Sequence, residues 1–186
     1  MDDTTDAELI ARHKRGDQAA FEQLVLRWDT RVLNLAYRLA CDREEAREIR
    51  QIAFMRAYRG LAGFNGDARF STWLNRVVVN IWRDRVRQQI KRRRDPESGE
   101  PVPDRPETGA LPCPSAVSEQ REAGRIVAEA VAALPDAERE VVALRHYQGL
   151  TFAEIAEVVD APVSTVKTRM SRALVRLRGW LKGVEL

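Results

Sequence analysis

Cysteine, histidine and long apolar runs are scarce in this chain of 186 residues. Two cysteines, Cys41 and Cys113, are too few and too far apart for a disulfide framework or a structural metal site. We therefore expect two thiols, with a single bridge between the halves as the alternative, and no metal or other cofactor. No apolar run approaches the roughly 20 residues that span a bilayer, which excludes a transmembrane helix.

The chain also lacks the motifs of common enzyme classes. It has no Gly-rich phosphate loop and no cluster of metal ligands, and its two histidines, His13 and His146, lie on separate predicted helices. We expect both histidines to be surface residues and the protein not to be an enzyme. The acidic amino end does not match the basic-then-apolar pattern of a signal peptide, so we expect a cytoplasmic protein.

Positive charge is concentrated in two segments, although the formal net charge is only +3. Residues 75–94 hold eight basic side chains against one acidic side chain, and residues 163–182 hold six basic and no acidic ones. A phosphate backbone attracts such one-signed faces. Each segment is therefore a candidate for contact with nucleic acid.

Proline divides the chain into two predicted units. Six of the eight prolines fall within residues 95–115, a composition that neither a helix nor a strand tolerates. We predict a domain over residues 1–94, a flexible linker over 95–115 and a smaller domain over 116–186. A flexible linker of this length spans roughly 25 Å on average, so the units can lie together or apart. We expect the free protein to be a flexible monomer.

Apolar residues recur at three-and-four spacing in both units and no alternating strand pattern occurs, which predicts an all-α fold. The first unit has four predicted helices, near residues 6–15, along an apolar stripe over 21–39, over 43–59, and from Ser71 as an N-cap. The second unit opens with a helix whose predicted buried residues are Ile126, Val127, Ala130, Val131 and Leu134.

A helix-turn-helix pattern completes the second unit. Thr151 and Glu154 have the spacing of a capping box, and Gly149 suits the end of the helix before them. After a turn, Pro162 suits the first position of the last helix. The predicted inward stripe of that helix is Val166, Met170, Ala173, Leu174, Leu177 and Leu181. Its outward face is Ser164, Thr165, Lys167, Thr168, Arg169, Arg172 and Arg176. This pattern predicts a helix that enters the DNA major groove, with a solvated helical hairpin as the alternative.

A second candidate surface begins in the loop before residues 75–94. The segment 64–73 interleaves aromatic, amide and hydroxyl groups with charge, and the helix after it presents polar residues near one face, namely Arg76, Asn80, Arg83, Asp84 and Arg87. Aromatic rings stack on unpaired bases at about 1–3 kcal/mol each, and Asn or Ser reads a base edge. Burial statistics favour Phe70 and Trp73 as core residues instead. The whole pattern fits a protein that recognises duplex DNA and opens it.

These segments, in this order, resemble the extracytoplasmic-function sigma factors of bacteria, which direct RNA polymerase to promoters. Residues 6–24 are similar to the family's opening segment, and residues 44–59 to its polymerase-binding helix. Residues 64–87 are similar to the segment that melts and reads the minus-ten element, and residues 134–177 to the domain that reads the minus-thirty-five element. The resemblance covers nearly the whole chain.

The resemblance implies three sets of site residues. Contacts with the polymerase clamp helices fall on Glu45, Glu48, Gln51 and Phe54. An extruded minus-ten base is surrounded by Phe64, Asn65, Gly66, Ser71 and Asn80, and the same surface includes Arg76, Arg83, Asp84 and Arg87. The minus-thirty-five element faces Ser164, Thr165, Lys167, Thr168, Arg169, Arg172 and Arg176.

Five positions depart from the family pattern. Ile52 stands where an acid is common, and Arg47 and Arg50 stand where acidic or apolar residues are usual. These three predict altered clamp affinity or partner choice. Asp160 and Ser164 occupy places where glycine is frequent, which predicts a slightly different pose of the reading helix.

The resemblance implies a transcription initiation factor whose partners are core RNA polymerase, promoter DNA and an anti-sigma factor that holds the two units together. Two other functions fit parts of the pattern. A stand-alone regulator would bind a palindromic operator as a dimer through the helix-turn-helix. An RNA-binding protein would use the basic helix alone.

Overall fold

Helices form most of the described part of the chain, which contains no strand. The computed structural model describes residues 4–94 and 119–182. The first unit comprises α1 (Asp6–Lys14), α2 (Gln18–Ala40), α3 (Arg43–Gly60), a 3₁₀ turn (Leu61–Gly63) and α4 (Phe70–Arg94). The second unit comprises α5 (Glu119–Ala132), α6 (Asp136–Val142), a π-helical turn (Ala143–Tyr147), α7 (Phe152–Val159) and α8 (Val163–Lys182). The predicted all-α fold with two helical units is confirmed, and the predicted linker over 95–115 lies outside the described residues.

Local sequence signals set the boundaries of the helix-turn-helix. Thr151 and Glu154 form the predicted capping box at the start of α7. Gly149 has a φ of +70°, which lets the chain turn after the preceding helix. Asp160 ends α7 in the left-handed region, with a φ of +53°. Pro162 stands one position earlier than predicted, because α8 begins at Val163.

The predicted N-cap of α4 is wrong. Helix α4 begins at Phe70, and the amide of Trp73 donates to the carbonyl of Arg69 at 3.1 Å, so Ser71 lies inside the first turn. Phe70 is buried and its ring centroid lies 5.9 Å from that of Trp28 on α2. Docking of an aromatic side chain, rather than a hydroxyl cap, therefore positions this helix start.

The core of the first unit lies where α2, α3 and α4 meet. The apolar stripes of these helices are buried largely as predicted, and Trp82 is 1% exposed at their centre. Phe70 is a core residue, whereas Phe64 and Trp73 are half-buried at its edge. Helix α4 is thus anchored along its apolar side, which fixes the direction of its polar side.

Two predicted core positions of the second unit are exposed instead. Leu174 on α8 is 57% exposed and Val127 on α5 is 41% exposed. Helix α8 packs against α5, α6 and α7 on one side only, with Val166 and Ala173 fully buried. Leu174 follows Val166 by eight residues, which places it about 80° around the helix and beyond that contact.

The two units pack against each other. Helix α7 contacts α4, and α6 and the π-helical turn contact α2. Val141, Leu144 and Ile155 of the second unit belong to the same buried cluster as the core of the first unit. Of the two arrangements that the sequence leaves open, the structure shows the units together, and the flexibility of the free chain stays a prediction.

Candidate nucleic-acid interface

Helix α8 presents its polar face to solvent. Ser164, Thr168, Arg172 and Arg176 are exposed, and Arg169 and Thr165 are half-buried at its edge. Lys167 is exposed as well, but five residues of helix place it about 140° around the axis from Arg172. Lys167 nevertheless lies only about 60° from Ser164, so the seven predicted residues share the solvent side of α8, with Lys167 at one border and Arg169 at the other.

One arginine on this surface pairs with an acidic side chain of the protein, and two others do not. Nε of Arg176 lies 3.1 Å from Oε2 of Glu138, which is largely buried at 9% exposure. Arg169 and Arg172 form no ion pair with any other residue that the structure describes. Their guanidinium groups are consequently available to a phosphate or a base edge.

The predicted minus-ten residues Arg76, Asn80 and Arg87 lie on one narrow side of α4. Because it is one continuous helix, Arg76, Asn80 and Arg87 lie within about 40° of one another, and all three are exposed. Arg83 and Asp84 border this group and are half-buried. Amide and basic groups therefore line one side of α4, with Asn80 about 15 Å and Arg87 about 26 Å along the axis from Phe70.

Ser71 does not join the α4 surface. It precedes Asn80 by nine residues, which is half a revolution of the helix, and its side chain is half-buried. The predicted grouping of Ser71 with Asn80 around one base therefore requires a ligand that reaches past the first turn of α4.

The loop before α4 is held by aromatic and polar contacts. The ring of Phe64 lies 5.4 Å from that of Trp73, centroid to centroid, and the Lys14 ammonium donates to the carbonyl of Phe64. Asn65 is exposed and its amide group donates to the Asp67 carboxylate. Gly66 has a φ of +87°, a conformation that favours glycine at this turn.

The four predicted clamp-contact residues lie on two sides of α3. Gln51 and Phe54 line a shallow groove between α2 and α3, together with Phe21, Val25, Met55 and Tyr58. Glu45 lines a cleft between α3 and α4 instead, about 180° from Phe54 around the helix. Glu48 is exposed, and its Oε2 lies 2.8 Å from Nη2 of Arg85 on α4.

The structure gives the unusual residues of α3 local partners. Nη1 of Arg50 lies 3.0 Å from Oδ2 of Asp29 on α2. Arg47 pairs with Glu44 one turn earlier. Ile52 lines the cleft between α3 and α4 and packs against the buried core. Ile52 therefore faces away from the groove that holds Gln51 and Phe54.

Two ionisable groups near these surfaces are shifted by hydrogen bonds. The bonds from the amide and hydroxyl of Thr151 lower the pKa of Glu154 below its usual 4.5. The hydrogen bonds to Glu140 raise the pKa of Arg83, so its guanidinium stays charged. Across residues 4–94 and 119–182, no group of three or more His, Cys, Asp or Glu side chains could hold a metal ion. None of the helices in those ranges has the length and apolarity to cross a membrane.

Sequence reasoning missed a polar cluster between the units. Glu140 and Arg139 on α6 are 3% and 4% exposed, although charged side chains normally lie at the surface. Arg139 contacts Cys41, with 3.6 Å between Nη1 and Sγ, and Cys41 carries a thiol. No local signal marks these residues, because their burial depends on packing against the other unit. Cys113 lies outside the described residues.

Comparison with known proteins identifies both units. The chain matches the Sigma-70 region 2 family over residues 24–92 and the Sigma-70, region 4 family over residues 124–177. An RNA polymerase sigma-H factor of Pseudomonas aeruginosa is 33% identical over 174 residues, covering 90% of this chain and 89% of the relative. The ECF RNA polymerase sigma-E factor of Escherichia coli K12 is 34% identical over 173 residues, covering 91% of this chain and 90% of the relative.

Solved structures share the arrangement of helices. CnrH in complex with the cytosolic domain of CnrY aligns with a TM-score of 0.71 at 25% identity, covering 97% of this chain and 99% of that one. The sigma factor RpoE of Bartonella quintana, in complex with the anti-sigma factor NepR, aligns with a TM-score of 0.72 at 21% identity, covering 87% and 96%, which is a likeness of fold. The two matched regions, their order and the full-length relatives agree, and the chain belongs to the extracytoplasmic-function family of RNA polymerase sigma factors.

Proposed function

We propose that this chain is a transcription initiation factor that binds core RNA polymerase and carries it to promoters. One observation supports this most strongly. The exposed basic face of α8 and the exposed polar face of α4 each lie within a sigma-factor region, and both belong to one chain. A sigma factor acts by binding, so we assign it no reaction of its own.

We propose that α8 reads the minus-thirty-five element in the major groove. Arg172, Thr168 and Ser164 line the outermost side of the helix, so they reach base edges first. Arg169 and Arg176 at the border of this face are placed for the phosphates that flank the groove. Lys167 lies at the opposite border of this face from Arg169, so it is also placed for a phosphate contact.

We propose that the loop before α4 and the exposed face of α4 hold the unpaired minus-ten bases. Asn80 supplies donors and an acceptor to a base edge, while Arg76 and Arg87 lie beside it for the backbone. Phe64 is half-buried against Trp73, which leaves part of its ring accessible for stacking. Asn65 and Gly66 shape the exposed turn at the rim of this site.

We propose that the groove between α2 and α3 is the centre of the polymerase contact. Met55 and Tyr58 are 48% and 47% exposed beside Phe54, an apolar patch of the kind that anchors protein interfaces. Gln51 borders this patch, whereas Glu48 and Glu45 lie toward α4 and would contact the edge of a partner. Because Arg50 pairs with Asp29, its charge is already balanced within the chain.

We propose that an anti-sigma factor regulates the chain and that it acts in the cytoplasm, where RNA polymerase works. CnrH is structurally similar over 97% of this chain and was solved with the cytosolic domain of CnrY. A stand-alone regulator is the disfavoured alternative, because full-length relatives are sigma factors. Specific gel shifts of promoter duplex without polymerase would support that alternative.

Run-off transcription with purified core polymerase and a genomic promoter library tests the proposal. We expect new start sites when the chain is added, and an unchanged set of transcripts would overturn the main claim. Phe54→Ala should weaken capture of core polymerase about tenfold or more, as expected for an interface anchor. Val127→Ala, on the exposed side of α5, is the matched control and should capture polymerase like the unaltered chain.

A further inference from the structure

A buried ion pair joins α4 of the first unit to α6 of the second. Nε and Nη2 of Arg83 donate to Oε1 and Oε2 of Glu140, each at 2.6 Å, and Nη1 donates to the carbonyl of Val159 at 3.1 Å. The side chain of Glu140 is 3% exposed, and that of Arg83 is 23% exposed. This bidentate geometry is the strong form of an Arg–carboxylate pair.

Further polar contacts join the same two units. The Arg139 guanidinium lies 5.6 Å from the centroid of the Trp82 ring and donates to the Sγ atom of Cys41 at 3.6 Å. Val79, one turn before Arg83, is fully buried. Buried charge is costly unless it is specifically paired, so these groups favour the relative placement of the two units in which each meets its partner. The contact is therefore specific rather than a loose collapse of two domains.

The closed arrangement is too small to act on a promoter. A compact chain of this length has a radius of gyration of about 16 Å. The minus-ten and minus-thirty-five elements lie roughly 80 Å apart at about 3.4 Å per base pair. The units must separate before α4 and α8 can reach both elements, so any contact that holds them together opposes promoter binding.

We infer that the Arg83–Glu140 pair is an intramolecular latch that holds the free chain shut, and that Arg83 exchanges the Glu140 carboxylate for a DNA phosphate when the chain opens. This inference rests on the proposed function for its second half only. Arg83 borders the exposed Arg76, Asn80 and Arg87, so the freed guanidinium joins a surface already suited to the backbone. A carboxylate and a phosphate both accept the same pair of N–H donors, and only one can do so at a time.

Only open molecules can bind the promoter. The apparent promoter affinity is therefore that of the open chain multiplied by the fraction of molecules that are open. Replacement of Glu140 leaves Arg83 without its buried partner and therefore disfavours the closed state. Glu140→Gln keeps the shape of the side chain and removes the charge. The exposed Glu157 on α7 offers a matched control, since Glu157→Gln removes the same charge outside the contact.

Small-angle X-ray scattering of the full chain without polymerase tests the latch itself. We expect a radius of gyration near 16 Å for the unaltered chain and for Glu157→Gln, and a clearly larger value for Glu140→Gln. An extended unaltered chain, or a Glu140→Gln variant as compact as the control, would overturn the inference. Circular dichroism distinguishes opening from unfolding, and Arg83→Gln breaks the same pair from the other unit if Glu140→Gln fails to fold.

Transcription titrations with core polymerase test the exchange of partners. We expect Glu140→Gln to reach half-maximal transcription at about tenfold lower concentration, because more of the chain is open. Arg83→Gln should open the chain equally in scattering but show no such gain, since the phosphate contact is lost with the latch. An equal gain for both variants would remove the DNA role from Arg83. Failure of all transcription would refute the proposed function while the scattering result still decides the latch.

Discussion

Helices α4 and α8 are both basic, yet they are held in the molecule in opposite ways. Helix α4 is buried along one side, and three of its arginines pair with acids of the chain: Arg83 with Glu140, Arg85 with Glu48 and Arg87 with Asp84. Helix α8 fully buries only Val166 and Ala173 among the residues described. Its Arg169 and Arg172 make no ion pair within those residues. The comparison shows that α8 offers Arg169 and Arg172 at once, although its Arg176 pairs with Glu138, whereas three arginines of α4 must first give up internal partners.

Because of this difference, the two helices should gain the free energy of DNA binding from different sources. Binding by α8 gains mainly from release of counterions, so it should weaken steeply with salt. Binding by α4 replaces pairs inside the protein with pairs to DNA, and its gain is the difference between the two. The apolar anchoring of α4 keeps its bordering polar groups in place during that exchange.

The largest expected effect concerns the anchoring of the two helices. Trp82→Ala removes the most voluminous fully buried side chain and should lower the free energy of unfolding by about 3–5 kcal/mol. Leu174→Ala, at an exposed position of α8, should change it by no more than about 0.5 kcal/mol. Urea unfolding followed by circular dichroism measures both. Equal losses at the two positions would contradict the contrast between an embedded and an open helix.

The second prediction concerns the open charges of α8. The double variant Arg169→Ala, Arg172→Ala should weaken binding of minus-thirty-five duplex by about 2–4 kcal/mol and, through the lost phosphate contact of Arg169, reduce the slope of log K against log salt by about 1. Polymerase capture should remain intact. Arg178→Ala is the matched control, since Arg178 is exposed about 120° around α8 from Arg172. If the control loses as much affinity, charge alone and not this face determines binding.

The helix-turn-helix could be predicted from sequence because its signals are local. A capping box, a left-handed turn and an apolar stripe each depend on residues within one or two helical turns. The same holds for the amphipathic helices of the first unit. The errors at Ser71 and Leu174 have a shared cause, because aromatic docking and one-sided packing depend on neighbours that are remote in sequence.

The functional surfaces were less accessible to sequence reasoning. Spacing placed Arg76, Asn80 and Arg87 together correctly, since a continuous helix fixes their angles. The same rule separates Glu45 from Phe54 by about 180° on α3, but it could not show that Glu140 is buried against Arg83. A glutamate in a short helix normally remains in solvent, and only the packing of two units makes it an internal partner.

The third prediction has a smaller expected effect and compares the capping box of the first unit with that of the second. Thr151→Ala removes the cap of α7 and should cost about 1 kcal/mol of stability, and Thr5→Ala at the start of α1 should cost a similar amount. Because α7 supports α8, only Thr151→Ala should also weaken minus-thirty-five binding. Thermal unfolding and duplex titration of both variants measure this. Equal losses of duplex affinity would mean that α8 is not positioned by α7.

The smallest effect is a pH dependence of the α7 cap. Hydrogen bonds from Thr151 lower the pKa of Glu154 in the folded chain below 4.5, so its stabilisation is complete above that pH and is lost as the pH falls through the folded value. The carboxylate side chain is 21% exposed, and solvent screening limits the effect to a few tenths of a kcal/mol. Glu154→Gln should therefore flatten the stability profile between about pH 5 and pH 3, as measured by urea unfolding at each pH. Glu157→Gln, exposed on the same helix, should leave the slope of the unaltered chain, and an unchanged slope for Glu154→Gln would show that the cap does not titrate.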